Sequence, residues 1–183
     1  MILLINVCKE KLHYFEFVKP IEDIVKSGKE CLTKNYNEIN QEDIDNADKI
    51  IICGTSLKDN EYLKDTEKFS WIRETKKPIL GICAGMQIIC AIFECELEKN
   101  FEIGMRHISF QKSFLGLGGK KEVYGLHNLG VRYDSKLREN FNIFAKPKSV
   151  QAIKHIKKEI YGVLFHPEVR NKGLISNFIN IGL

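Results

Sequence analysis

Apolar positions along this chain follow two rhythms. In the first half, short unbroken apolar runs alternate with stretches of helical period. Residues 2–7 read as a buried strand, 12–27 as an amphipathic helix, and 31–36 and 49–53 as further strands. A helical stretch over 60–75 precedes the strand 78–82, and a helix runs from Ala84 to about Phe93. Continuous apolar runs bounded by turn residues and separated by helices predict a parallel sheet covered on both faces. Beyond residue 100 the rhythm becomes polar alternation. It predicts short strands at 103–111, 121–126, 131–133, 142–146 and 149–155, with a turn at Gly116-Leu117-Gly118-Gly119. The apolar strand 160–165 and a last helix, about 170–181, close the pattern. The fold class expected is α/β: a doubly wound, mostly parallel sheet with helices on both faces and a smaller antiparallel extension in the second half. With no repeat and no linker-like segment, residues 1–183 are expected to form a single domain.

Composition narrows the function classes. The apolar share of 44% and charged share of 28% are ordinary for a globular protein. Net charge is +4 with scattered basic residues, which argues against a nucleic-acid partner; Lys154, Lys157 and Lys158 read as a solvated turn beside a sheet edge. No apolar run approaches the ~20 residues that span a bilayer. Residues 1–7 lack a basic lead and a small-residue cleavage site, so a cytoplasmic protein without a membrane partner is expected. The six cysteines (Cys8, Cys31, Cys53, Cys83, Cys90 and Cys95) contain no CxxC, so neither a disulfide framework nor a metal site is expected, and no cofactor is implied.

One cysteine stands apart. Gly81-Ile82-Cys83-Ala84-Gly85-Met86-Gln87 follows an apolar strand and opens a helix. A nucleophile at such a junction sits on a sharp turn whose flanks two residues either way must be small, as in the Gly-x-Ser-x-Gly elbow. The helix N-terminus favours thiolate over thiol, and the Ala84 amide points to where an oxyanion would develop. The plainer reading is a buried cysteine in a glycine-rich turn.

Phe165-His166-Pro167-Glu168 is the second feature. Proline disfavours helix at His166 and favours an extended segment, in which residues two apart share a side. His166 and Glu168 are thereby expected to pair as the base and its orienting acid beside Cys83. A purely structural His–Glu pair is the plainer alternative.

GICAGMQ followed by YGVLFHPEV resembles the class I, triad-type glutamine amidotransferases, over essentially the whole chain. That resemblance implies that Cys83 attacks the side-chain amide of L-glutamine or a γ-glutamyl relative. His166 would serve as base and acid, and Glu168 as its orienter. It also implies that the loop Gly54-Thr55-Ser56 supplies the second oxyanion-hole amide beside Ala84, and that Gly54, Gln87, His127 and Asn128 contact substrate. The family usually has Gly-Gly-Pro at that loop. A β-branched Thr55 restricts a peptide flip there, so the hole is expected either to await a partner or to stand already oriented. His127 and Asn128 equally fit a polar loop unconnected with substrate.

Within the family the chain is most similar to free-standing glutaminase subunits of GMP synthase, which implies a separate ammonia-accepting synthase subunit. The glutaminases of pyridoxal phosphate synthase and imidazole glycerol phosphate synthase resemble it less. A stand-alone γ-glutamyl hydrolase and a non-catalytic binding relative are the alternatives from other classes.

Overall fold

A computed structural model describes residues 1–146 and 148–182 and assembles the apolar runs into one nine-stranded sheet. The strands are β1 Ile2–Asn6, β2 Cys31–Asn35, β3 Lys49–Ile52, β4 Ile79–Ile82, β5 Leu97–Phe114, β6 Leu117–Val131, β7 Phe141–Ala145, β8 Ala152–His155 and β9 Ile160–Val163. Their spatial order is β2-β1-β3-β4-β9-β8-β7-β5-β6. Strands β2, β1, β3, β4 and β9 pair in parallel, and β8, β7, β5 and β6 continue the sheet antiparallel. This is the expected α/β sheet.

The period-2 rule explains how short apolar runs feed two cores. Ile2, Leu4, Ile51, Leu80 and Ile82 face one layer, built on helix α2 (Lys19–Lys26) and helix α6 (Gly173–Asn180). Leu3, Ile5, Ile50, Ile52 and Ile79 face the other, built on helix α4 (Ala84–Ile92) and the 3₁₀ segment Thr66–Arg73. Helix α1 (Lys11–His13) continues through a π-helical turn, Tyr14–Val18, into α2. Lys49 reaches across the sheet end and donates to the carbonyls of Phe178, Ile179 and Ile181, satisfying orphan groups at the end of α6.

The second half departs from its pattern. The strands expected at 103–111 and 121–126 belong to one long hairpin, β5–β6, which ends at Val131, so the separate strand expected at 131–133 does not form. Its turn is Leu115-Gly116, both at positive φ (48° and 82°), rather than Gly116–Gly119. Two short helices were not anticipated. Helix α3 (Gln41–Asn46) is capped reciprocally by Asn40 and Asp43, and helix α5 (Ser135–Asn140) by Asp134. The Lys154–Lys158 run borders the β8–β9 turn, and β8 is an interior strand, not a sheet edge. The far half of the hairpin passes over the ends of β4 and β9: the Tyr124 carbonyl accepts from the His166 amide at 2.9 Å.

Candidate functional site

At the β4–α4 junction Cys83 has φ 49° and ψ −102°, a strained conformation for a residue with a Cβ. Both flanking glycines are required. A Cβ on Gly81 would lie 2.5 Å from the Gly85 carbonyl carbon, and one on Gly85 would lie 2.2 Å from the Ile52 oxygen. The turn is therefore held by close backbone contact, with Cys83 at the N-terminus of α4, where amides lack helical acceptors.

His166 lies just beyond β9, fully buried against the Phe17 ring. Its Nδ1 is 2.7 Å from Glu168 Oε1, and both side chains are almost wholly enclosed. The expected pair is present, but on a different backbone. Residues 166–170 turn rather than extend, since the amides of Val169 and Arg170 both donate to the His166 carbonyl. Pro167 starts that turn with its fixed φ, bringing Glu168 back under the imidazole. Burial alone would lower the imidazole, but the Glu168 carboxylate and the Cys83 sulfur outweigh it and hold His166 well above its ordinary value. Both Cys83 Sγ (3.5 Å) and His166 Nε2 (3.3 Å) reach the carbonyl oxygen of Leu126 on β6.

Gly54 closes the other side, since a Cβ there would sit 2.7 Å from His166 Cε1 and 3.3 Å from Cys83 Cβ. Thr55, Cys83, Ala84, Gln87, His127 and Asn128 line one nearly closed cleft of ≈ 10 Å³, far below the roughly 300–1,000 Å³ of ordinary small-molecule sites. The structure thus brings the sequence-predicted residues together. Gln87 is already engaged: its Oε1 accepts from Tyr62 at 2.6 Å and its Nε2 donates to the Leu129 carbonyl at 2.9 Å. Asn128 donates to the Leu57 carbonyl at 3.0 Å. His127 Nε2 lies 3.2 Å from Asn100 and 3.5 Å from Glu102, while its buried Nδ1 has no partner among the described residues. Burial and the nearby His166 push His127 down to about 4, so it is neutral at physiological pH.

Sequence reasoning missed Tyr62, Asp59 and the Leu126 carbonyl. Asp59 sits in a polar loop and Tyr62 in the 3₁₀ turn Glu61–Leu63 that follows it, neither with a motif, and a backbone oxygen has no sequence signal. Among the other cysteines, burial pushes Cys8 up to about 11 and raises Cys53 and Cys90 well above the usual thiol value. Among the described residues no three His, Cys, Asp or Glu side chains gather to hold a metal ion. No helix among them is long and apolar enough to cross a membrane.

A strand-to-helix elbow bearing a cysteine, faced by a buried His–Glu pair at the ends of parallel strands, defines an α/β protein with the geometry of a cysteine amidohydrolase. A family model described as glutamine amidotransferase class-I matches residues 19–180, and the chain belongs to that family. It is 38% identical over 101 residues to a subunit of the glutamine-hydrolysing GMP synthase of Methanosphaera stadtmanae, covering 51% of this chain and 53% of that protein. It is 30% identical over 157 residues to the equivalent GMP synthase subunit of Thermoplasma acidophilum, covering 79% of this chain and 77% of that one. The chain spans about half the length of some of the GMP synthase subunits it matches and about a quarter of the longer GMP synthases. In fold it is similar to the crystal structure of a putative GMP synthase subunit from Thermoplasma acidophilum. The TM-score is 0.85 at 23% identity, over 98% of this chain and 92% of that one.

Proposed function

We propose that the chain hydrolyses glutamine to glutamate and ammonia, and delivers the ammonia to a separate GMP synthase-like subunit. The observation that carries this reading is Cys83 on a strained elbow at the start of α4, beside the buried His166–Glu168 pair.

The chemistry follows from that placement. Cys83 thiolate attacks the side-chain amide carbon, and the oxyanion forms between the Ala84 amide and the Gly54–Thr55 loop. The His166 imidazolium, stabilised by Glu168, protonates the departing nitrogen as the tetrahedral intermediate collapses to a γ-glutamyl thioester and ammonia. Neutral His166 then takes a proton from water, which attacks the thioester to give glutamate and regenerate Cys83. His127 and Asn128 would face the amino-acid end of the substrate, with Gln87 holding the cleft wall through Tyr62 and Leu129.

Two observations support a partner chain. Relatives named as one subunit of a GMP synthase occur at 30–38% identity. In addition, Phe101, Ile103 and Met105 form an exposed apolar row on alternate positions of β5, and Ile103 pairs directly with Leu126, whose carbonyl meets Cys83 and His166.

A glutaminase assay on the purified chain, with and without a GMP synthase ATP-dependent subunit, tests the reading. Ammonia release that rises when the second chain is added and vanishes in Cys83→Ala is expected. Constitutive cleavage of γ-glutamyl peptides with no response to the second chain would favour a stand-alone hydrolase, and silence throughout would favour a binding protein.

A further inference from the structure

Behind the Gly54 loop lies a buried polar cluster that the chemistry above leaves unused. Asp59 is 4% exposed, and its Oδ2 accepts three hydrogen bonds: from Thr55 Oγ1 at 2.6 Å, His13 Nδ1 at 2.7 Å and the Lys9 amide at 3.1 Å. The donors come from the loop after β3, from α1, and from the loop after β1. The Asp59 amide donates to the Ser56 carbonyl at 3.0 Å and closes the same loop on itself. Burial alone would raise the Asp59 carboxyl, but the bonds from Thr55, His13 and Lys9 hold it below its ordinary value, so the acceptor is charged at neutral pH. A buried charge is costly unless donors compensate it, and here one of the compensating donors, Thr55, lines the cleft with Cys83.

The peptide between Gly54 and Thr55 is fixed from both ends. Its carbonyl oxygen accepts from the Cys8 thiol at 3.8 Å. In a planar trans peptide the N–H points opposite to the C=O, so the Thr55 N–H is turned away from Cys8. The Gly54 Cα, at the start of the same peptide, packs against His166 and Cys83. A second glycine in place of Thr55 would leave this peptide free to rotate. Threonine narrows the conformations available, and its hydroxyl is tied to Asp59.

We propose that Asp59, braced by His13 and the Lys9 amide, is a positioning residue that acts through Thr55: it holds the Thr55 N–H, together with that of Ala84, toward the oxygen of the amide under attack. The chain thereby keeps a preorganised oxyanion hole with threonine in the loop. The proposal rests on the glutaminase reading and deepens it.

The test compares glutamine hydrolysis with iodoacetamide alkylation of Cys83 in the full chain. Alkylation is a direct displacement that needs the nucleophile but builds no oxyanion. Thr55→Val and Asp59→Asn are expected to lower kcat for glutamine by about 10²-fold, the scale of one lost oxyanion donor. KM and the alkylation rate are expected to stay at wild-type values, the melting temperature to fall only in Asp59→Asn, which weakens a buried charged acceptor, and Thr55→Ser to keep the wild-type kcat. Unchanged kcat in Thr55→Val overturns the proposal, as does a parallel fall in kcat, alkylation and melting temperature, which would mark a purely structural role. A wild-type chain that alkylates at Cys83 yet releases no ammonia from glutamine, alone or with a GMP synthase ATP-dependent subunit, removes the glutaminase reading and this proposal with it.

Discussion

The imidazole of His166 lies 2.7 Å from the carboxylate of Glu168 with both side chains sealed from solvent, so the carboxylate, together with the Cys83 sulfur, stabilises the imidazolium where water cannot. If the pair serves as base and orienter, His166→Ala should lower glutamine turnover by at least roughly 10³-fold, the scale of triad knockouts. Glu168→Gln should cost less, because its amide oxygen can still accept from Nδ1 and orient the ring, although it no longer stabilises the imidazolium. Steady-state ammonia release measures both. Near-normal turnover in His166→Ala would require another base, and His127, held neutral down to about 4, is the neighbour to test.

A glutamine-analogue electrophile should modify one cysteine of the six. Cys83 sits on the cleft that holds the substrate-facing residues, whereas Cys53 and Cys90 are fully buried and held as thiols. Peptide mapping should place the label at Cys83, and Cys83→Ala should abolish it. Label persisting at Cys53 or Cys90 would overturn the assignment.

Gly85 should be among the least replaceable residues of the fold. Gly85→Ala puts a Cβ 2.2 Å from the Ile52 oxygen, a backbone atom of β3 that cannot swing aside. A loss of about 1–3 kcal/mol, typical of overpacking, is expected in urea unfolding, together with loss of Cys83 reactivity as the elbow shifts. Gly28→Ala is the control: nothing lies within 4 Å of its added Cβ, and it should leave stability unchanged or slightly higher.

His127 should make stability depend on pH on the acid side. Its unfolded value is 6.5 and its folded value about 4, because burial and His166 oppose the charged form. Between these values the unfolded chain binds a proton that the folded chain refuses, so its contribution to stability is fully present above pH 6.5 and is lost as pH falls toward 4. The slope is at most about 1.4 kcal/mol per pH unit. Urea midpoints measured from pH 4.5 to 7 should show this loss in the wild type, and a flatter profile in His127→Gln.

What could be read from the sequence was local. The elbow needs only Gly81, Cys83 and Gly85, and the acid–base pair only His166, Pro167 and Glu168. The pair was legible even though its backbone was not, because proline supports an extended chain and a tight turn alike, and either brings residues 166 and 168 together. The β5–β6 hairpin was not legible as one element. Gly116, Gly118 and Gly119 read as one turn, yet the turn is confined to Leu115-Gly116 and Gly119 already pairs with Phe110 in the ladder. Helices α3 and α5 carry caps at Asn40, Asp43 and Asp134 but too few apolar positions to show a period. Asp59 matters through contacts 46 and 50 residues away in sequence, which no local pattern reveals.

The isolated chain should be a slow glutaminase, and the restraint should lie in the hairpin. The unusual loop at Thr55 is held firmly by Asp59, so it is a poor candidate for a part that moves on activation. The Leu126 carbonyl is a better one. It lies within hydrogen-bonding reach of both Cys83 Sγ and His166 Nε2, and the cleft beside it is only ≈ 10 Å³. For attack, the thiol proton must go to His166 rather than stay on this carbonyl, and the substrate must fit where β6 now crowds the site. A small outward shift of β6 relieves both, and the exposed row Phe101, Ile103 and Met105 on the paired strand offers a partner a direct hold on it. Steady-state kinetics with a synthase subunit should therefore show strong activation over a basal rate well below the typical ~10 s⁻¹. Phe101→Asp should abolish the activation and leave the basal rate alone, since Phe101 is 69% exposed and touches none of the reacting groups. A basal turnover near ~10 s⁻¹ without any partner, or activation that survives Phe101→Asp, would rule out the hairpin as the gate.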